Sequence, residues 1–162
     1  MNAIVFATWW KRNNSASIFF DGASKGNLGI TGAGGLIISP DIMIETCFSW
    51  GLGTSSNNQA ESYSLLKACQ IAKETRYKSI QIFGDSWLLI KLLNSEDHFN
   101  NPSLNKILQR IRNILNAFEK VTSFHILREL NNQVDSLANK ACLLLQGNLC
   151  INGDSTTFHP LP

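Results

Sequence analysis

Charged residues are scarce in this sequence of 162 residues. Lysine and arginine number 14 and aspartate and glutamate 12, so charged residues make up 16% of the chain. Typical globular domains contain about a quarter, and disordered polyelectrolytes and coiled coils contain more. A net charge of +2 is also far from the dense positive charge of proteins that bind nucleic acid by phosphate neutralisation alone. With 44% hydrophobic residues, the chain is expected to form one compact domain.

Closely spaced cysteines and long apolar runs are also missing. No stretch approaches the roughly 20 apolar residues that a membrane-spanning helix needs, so no membrane partner is expected. The apolar run at residues 3–10 is short and is followed by Lys11 and Arg12, which argues against a signal peptide. The four cysteines form no C-x-x-C pair and no zinc-ligand spacing, and we expect reduced thiols in an intracellular protein. These are Cys47, Cys69, Cys142 and Cys150.

The apolar pattern predicts an α/β domain. Three aromatic and β-branched runs separated by turns predict an antiparallel meander of strands within residues 17–50. From residue 57 the apolar spacing becomes that of helices alternating with two further strands. Asn57 or Asn58 is expected to cap the first helix, and Ser103 the third. The predicted order is β-β-β-α-β-α-α-β-α, with the fifth strand at residues 121–127.

The ends of the chain show less regular patterns than its centre. Residues 1–14 have no sustained period and are interpreted as a leader or a remnant of a longer polypeptide. Residues 15–146 form the predicted domain. Residues 147–162 begin at a glycine and contain prolines, so we expect a loosely ordered tail.

Four carboxylates fall at the ends of predicted elements. Asp21 and Asp85 follow strands, and Asp135 opens the last helix. An aspartate at such places often forms a turn or faces a helix dipole. Glu61 is different, because it lies on the apolar stripe of its helix, where an unpaired carboxylate is costly. If the four converge, their repulsion requires cations, and two Mg²⁺ ions about 4 Å apart suit phosphodiester cleavage.

Four sequence blocks around these carboxylates resemble the type 1 ribonuclease H family. Residues 21–29 (DGASKGNLG) are similar to its D-G-A-x-x-G-N-P-G block, and residues 57–61 (NNQAE) match N-N-x-A-E. Residues 82–86 (IFGDS) contain the strand-ending D-S, and residues 128–138 (RELNNQVDSLA) resemble R-E-x-N-x-x-A-D-x-L-A. The blocks occur in the family's order and cover about residues 15–146.

The resemblance implies a fold and an activity. The fold is the ribonuclease H-like α/β fold, a five-stranded mixed sheet of an antiparallel meander plus parallel strands, with helices on both faces. Asp21, Glu61, Asp85 and Asp135 form the implied metal-binding catalytic site. They would hold two Mg²⁺ ions, with Mn²⁺ as a substitute, and the enzyme would hydrolyse the RNA strand of an RNA–DNA hybrid.

The resemblance also implies residues that contact the hybrid. The backbone around Gly22, Ala23 and Ser24 would lie near RNA 2′-hydroxyl groups, and reading these groups distinguishes RNA from DNA. The residues implied to lie near the scissile phosphate are Asn27, Asn58 and Gln59. A monomer is expected, with a neighbouring reverse-transcriptase domain if the segment comes from a polyprotein.

Two departures from the family leave an alternative open. Many members carry a histidine in a loop before the last aspartate, and residues 128–134 contain none, as in a subgroup that is active without it. The basic helical insertion of some members is also missing between residues 94 and 103. His125, within the fifth strand, is interpreted as structural. The alternative is a catalytically silent structural or nucleic-acid-binding domain of a polyprotein. A proofreading exonuclease is disfavoured because Ala23 stands where those enzymes have a glutamate.

Overall fold

A mixed β-sheet forms the centre of the protein, for which a computed structural model describes residues 14–26, 29–154 and 156–162. Its strands are β1 (Ala16–Lys25), β2 (Gly29–Ile38), β3 (Glu45–Ser55), β4 (Ser79–Gly84), β5 (Lys120–His125), β6 (Asn148–Ile151) and β7 (Thr157–Phe158). The described residues also form the helices α1 (Asn57–Glu74), α2 (Trp87–Leu93), α3 (Pro102–Leu115) and α4 (Asn132–Ala141). A short 3₁₀ helix, Arg128–Leu130, precedes α4. Within the described residues, no helix combines the length and apolar character needed to cross a bilayer.

The strand pairing confirms the predicted meander and the parallel strands. The order across the sheet is β5-β4-β1-β2-β3-β6-β7. Strand β2 is antiparallel to both β1 and β3, whereas β4 is parallel to both β1 and β5. The β1–β4 pairing ends at Phe19 and Phe83, so β1 continues past the end of β4. This offset opens the sheet beside the second half of β1.

The expected number of five strands is wrong, because the sheet has seven. Strand β6 pairs with β3 through Phe48 and Ile151, and β7 pairs with β6 through Asn148 and Phe158. Both strands lie in the segment expected to be loosely ordered. Strands of four and two residues carry little local signal, and they form because a partner edge is available. The predicted leader lies outside the described residues except for Asn14.

Helices cover both faces of the sheet. The larger core lies under α1 and includes Ile18, Phe20 and Trp50. On the opposite face, α4 packs so close to β2 that a Cβ added at Gly34 would lie 2.4 Å from the Ala138 nitrogen. Glycine is therefore required at this crossing, since no larger residue leaves room for the helix.

The helix caps differ in part from those predicted. Ser56, rather than Asn57 or Asn58, caps α1 through a capping box, in which its hydroxyl accepts from the Gln59 nitrogen and Gln59 accepts from its nitrogen. Asn101 caps α3 in place of Ser103 because Pro102 occupies the first helical position.

Candidate active site

Asp21 lies in the middle of β1, not at a strand end as predicted. Strand β1 continues to Lys25 because β2 pairs with it along this whole segment. The β4 side is open here, since β4 ends beside Phe19. Asp21 is nevertheless only 2% exposed. The carboxylate is therefore held at the floor of the opening rather than in solvent.

Glu61 reaches this opening from the second turn of α1. A Cβ added at Gly22 would lie 2.5 Å from the Glu61 nitrogen, so only glycine lets the helix approach β1 this closely. A hydrogen bond from the Gly22 backbone N–H also reaches the Glu61 carboxyl group. The unusual position predicted for Glu61, on a stripe of small residues, places it against β1 beside Asp21.

Asp85 follows β4 and precedes Ser86, which caps α2. Its Oδ2 lies 3.8 Å from the Arg128 Nε, and its backbone oxygen lies 3.3 Å from the His125 Nε2. Strand β5 pairs in register with β4, Gly84 opposite His125, and this pairing brings the end of β5 to the same edge. The parallel pairing of β4 and β5 therefore places Asp85 and His125 next to each other at this edge of the sheet.

Three of the four predicted carboxylates come together. One oxygen from each of Asp21, Glu61 and Asp85 lies within 4.8 Å of the other two. The fourth, Asp135, lies in the first turn of α4 and is not part of this group. A hydrogen bond between the Asp135 and Asp21 side chains, and then the Asp135 charge, nevertheless raise the pKa of Asp21, and the same charge raises the pKa of Asp85. Asn131, just before α4, donates a 3.0 Å hydrogen bond to the Phe20 oxygen, which fixes this helix end beside β1.

The electrostatics of the cluster favour a cation. Burial raises the pKa of Asp21 to about 7, and the Asp85 charge adds to the shift. Burial and the neighbouring Asp21 likewise raise the pKa of Glu61 well above its usual value. Burial also raises the pKa of Asp85, although the Arg128 charge opposes this shift. Without a cation, the cluster therefore retains protons that isolated carboxyl groups would lose near pH 4.

The donor atoms fit a hard divalent metal ion. Asp21 Oδ2 and Glu61 Oε2 are buried and have no hydrogen-bond partner among the described residues. Buried polar atoms rarely lack a hydrogen-bond partner in proteins. A ligand set made only of oxygen atoms is the one that magnesium, calcium and manganese ions prefer. The acidic triad can therefore bind a metal ion.

A cleft of about 440 Å³ opens beside the triad, and we call it the carboxylate cleft. Its lining includes Asn57, Asn58, Glu61, Asp85, His125 and Arg128. One of these, His125, is interpreted from the sequence as structural. The parallel register of β4 and β5, which no local pattern reveals, brings it to the cleft.

The residues predicted to contact nucleic acid differ in their exposure and in the hydrogen-bonding groups that they offer. Asn58 is exposed at the start of α1. The Gln59 side-chain carbonyl accepts a hydrogen bond in the capping box, and its amide N–H groups have no acceptor within the part of the chain that the structure describes. Gly22 and Ala23 offer only backbone groups, since the Ala23 side chain is buried against α4. The Ser24 hydroxyl donates to the Gly26 oxygen. The remaining predicted residue, Asn27, lies outside the described residues.

The sheet order and the acidic triad define a ribonuclease H-like domain, and comparisons with known proteins agree. The family model described as "Reverse transcriptase-like" matches residues 19–141, so the chain belongs to this family. It is 34% identical over 130 residues to ribonuclease HI of Halobacterium salinarum, covering 80% of this chain and 65% of that protein. The predicted membership of the ribonuclease H family is thereby confirmed.

Solved structures show the same fold. The crystal structure of RNase H1 from Halobacterium salinarum superposes with a TM-score of 0.72 at 34% identity, covering 78% of this chain and 96% of that one. LC11-RNase H1 in complex with an RNA/DNA hybrid gives a TM-score of 0.70 at 25% identity, with coverage of 78% and 96%.

Proposed function

We propose that this protein is a metal-dependent endonuclease that hydrolyses the RNA strand of RNA–DNA hybrids. The observation that carries the proposal is the triad of Asp21, Glu61 and Asp85, whose oxygens meet within 4.8 Å and include two buried atoms without a hydrogen-bond partner among the described residues. Similarity to ribonuclease HI of Halobacterium salinarum supports it. A monomer, an intracellular location and a neighbouring reverse-transcriptase domain remain predictions.

Each carboxylate has a role that follows from its position. Asp21, Glu61 and Asp85 would hold two Mg²⁺ ions, with Mn²⁺ as a substitute, and Asp135 would join them from α4. The chemistry that such ions would supply is activation of water and stabilisation of the leaving oxygen of the phosphodiester. Gly22 keeps Glu61 in place, and Arg128 faces the cleft close to Asp85, where a substrate phosphate needs a positive neighbour.

Recognition of the hybrid rests on groups along the rim of the same cleft. The backbone at residues 22–24 and the side chains of Asn27, Asn58 and Gln59 contact the RNA strand. Support comes from the exposure of Asn58 and from the Gln59 N–H groups, which no other described residue engages. Contacts to 2′-hydroxyl groups would favour hybrid over duplex DNA.

The test is a cleavage assay with Mg²⁺ on three substrates of one sequence: hybrid, double-stranded RNA and double-stranded DNA. The hybrid is expected to be cut in its RNA strand, double-stranded RNA poorly and DNA not at all. EDTA and Asp85→Asn are expected to abolish cleavage, because the amide cannot neutralise the ions. Asp97→Asn, a change of the same type at an exposed loop residue, provides the control.

Two outcomes of this assay would overturn the proposal. Equal cleavage of hybrid and duplex DNA would indicate a metal-dependent nuclease of another specificity. No cleavage by a folded protein that binds the hybrid would favour the catalytically silent domain.

A further inference from the structure

A larger cavity lies on the α1 face of the sheet, away from the carboxylate cleft. It has a volume of about 650 Å³, and we call it the tail cavity because residues 158–160 and Pro162 form one of its walls. Lys67, which lines it, is six residues after Glu61, about 9 Å further along α1 and about 120° around the axis. The tail cavity is therefore a separate site. Its lining includes Trp50, Lys67, Gln70, Glu74, Arg76 and Phe158.

The tail wall is fixed by specific hydrogen bonds. Strand β7 pairs with β6, and the His159 nitrogen donates to the Gly147 oxygen over 2.7 Å. The Trp50 indole N–H donates to the His159 oxygen over 2.9 Å. Gly147 has a φ of 90°, and a Cβ there would lie 2.4 Å from the Phe158 ring. These contacts give the cavity a defined shape.

Lys67 is the most unusual residue of the cavity. It is only 7% exposed, and its Nζ lies 4.5 Å from the centroid of the Trp50 ring. No carboxylate of the described residues lies within 4.0 Å of this ammonium group, and the described residues give it no hydrogen-bond partner. The cation–π contact with Trp50 supplies neither an anion nor a hydrogen-bond acceptor, and the ammonium group is not among the buried polar atoms of the described residues that lack a partner, so water in the cavity can reach it. Its N–H donors are therefore available to a ligand.

The other charges around the cavity specify the ligand further. Lys73 and Arg76 are exposed at its rim, and Glu74 supplies the one acidic side chain among the described residues that line it. Three cations match a phosphate monoester, which carries nearly two negative charges and three acceptor oxygens at neutral pH. The volume exceeds what a lone phosphate needs and falls in the range of cavities that bind small organic ligands. Phe158, 68% exposed, offers a ring for base stacking, and Gln70 and Glu74 offer polar partners for a base or ribose.

We propose that the tail cavity binds the phosphate monoester of a nucleotide, with Lys67 contacting the phosphate. The monoester comes from a free mononucleotide or from the phosphorylated end of an oligonucleotide, and both present the same group. Residues 158–162 lie beyond the matched family region, which ends at residue 141. The proposal does not depend on the cleavage activity proposed above.

The test is calorimetric titration of the whole chain in EDTA, which removes metal-mediated phosphate binding at the carboxylate cleft. The titrants are AMP, adenosine, inorganic phosphate, and one short DNA strand with either a 5′-phosphate or a 5′-hydroxyl group. AMP or the phosphorylated strand is expected to bind at least about tenfold more tightly than its unphosphorylated counterpart, the value of a charge-assisted hydrogen bond. Tighter binding of AMP identifies the free nucleotide as the source, and tighter binding of the strand identifies the nucleic-acid end.

Single substitutions distinguish binding at the tail cavity from nonspecific attraction of phosphate to positive charge. Lys67→Met is expected to weaken phosphate binding about tenfold or more. Lys91→Met removes an exposed lysine on α2 and should have no effect. If Lys67→Met fails to fold, Arg76→Asn tests the proposal instead, because asparagine tolerates the φ of 68° at this residue. Loss of this cation at the rim should weaken phosphate binding about threefold. The proposal is overturned if neither phosphorylated titrant binds, if unphosphorylated titrants bind equally well, or if Lys91→Met weakens binding as much.

Discussion

Gly22 and Glu61 are in such close contact that the position of a Cβ on Gly22 lies 2.5 Å from the Glu61 nitrogen. This contact between β1 and α1 sets the distance between the Asp21 and Glu61 carboxyl groups. The geometry of the acidic triad therefore depends on a residue with no side chain.

Replacement Gly22→Ala is expected to displace the start of α1 and to lower both stability and metal-dependent cleavage. Overpacking of this kind costs about 1–3 kcal/mol, which urea denaturation will measure. Gly153→Asn is the matched control, because nothing lies within 4 Å of its Cβ position and asparagine tolerates its φ of 74°. Full activity in a stable Gly22→Ala protein would show that the close approach is not needed for the site.

The metal-free protein is expected to lose stability as the pH rises from about 4 to about 7. Burial raises the pKa of Asp21 from 3.8 to about 7, so the folded state holds a proton that the unfolded chain has released. The resulting stabilisation is complete below about pH 4 and is lost as the pH passes the folded-state pKa. Glu61 and Asp85 shift in the same direction.

Urea denaturation in EDTA at several pH values will measure this loss. Asp21→Asn is expected to reduce the slope and to be more stable than the parent protein at pH 8, since it removes a buried, repelled charge. Added Mg²⁺ should stabilise the parent protein most at high pH. Identical pH profiles for the parent and the variant would contradict the assignment.

Asp135 is expected to matter less for metal binding than Asp85. It lies outside the group of oxygens that meet within 4.8 Å, and it acts on Asp21 from α4. In a Mg²⁺ titration of cleavage, Asp135→Asn should require about tenfold more metal yet retain activity at saturation, whereas Asp85→Asn should retain none. Loss of all activity in both variants would place Asp135 among the required ligands.

Local sequence patterns singled out the three carboxylates that the structure brings together, Glu61 most clearly. Glu61 stands out on a stripe of small residues, and Asp85 directly follows a short buried strand. The position of Asp21 within β1 was missed, since Gly22 suggested a strand end. The strand continues because β2 pairs with it through Lys25.

Features that depend on distant pairing were not predictable in this way. Strand β6 exists because the edge of β3 accepts Ile151 opposite Phe48, about a hundred residues away in sequence. His125 reaches the cleft because it pairs opposite Gly84. Ser56 caps α1, rather than the neighbouring Asn57 or Asn58, because it is the residue with which Gln59 forms a capping box.

Arg128 is expected to contribute a phosphate contact to hybrid binding. It is 84% exposed, and its Nε lies 3.8 Å from Asp85 at the edge of the carboxylate cleft, where a substrate phosphate must lie if Asp85 binds the ions. With a net charge of +2, few such contacts are available, so the affinity should depend only weakly on salt.

Fluorescence anisotropy with a labelled hybrid in EDTA will measure affinity without cleavage. Arg128→Gln should weaken binding and reduce the slope of log K against log salt by about 0.7–0.9, the value of one lost phosphate contact. Arg110→Gln removes an exposed arginine on α3 and should change neither quantity. An unchanged slope in Arg128→Gln would contradict the phosphate contact. An equal change in Arg110→Gln would indicate that only the net charge matters, because a contact at the cleft must depend on which arginine is removed.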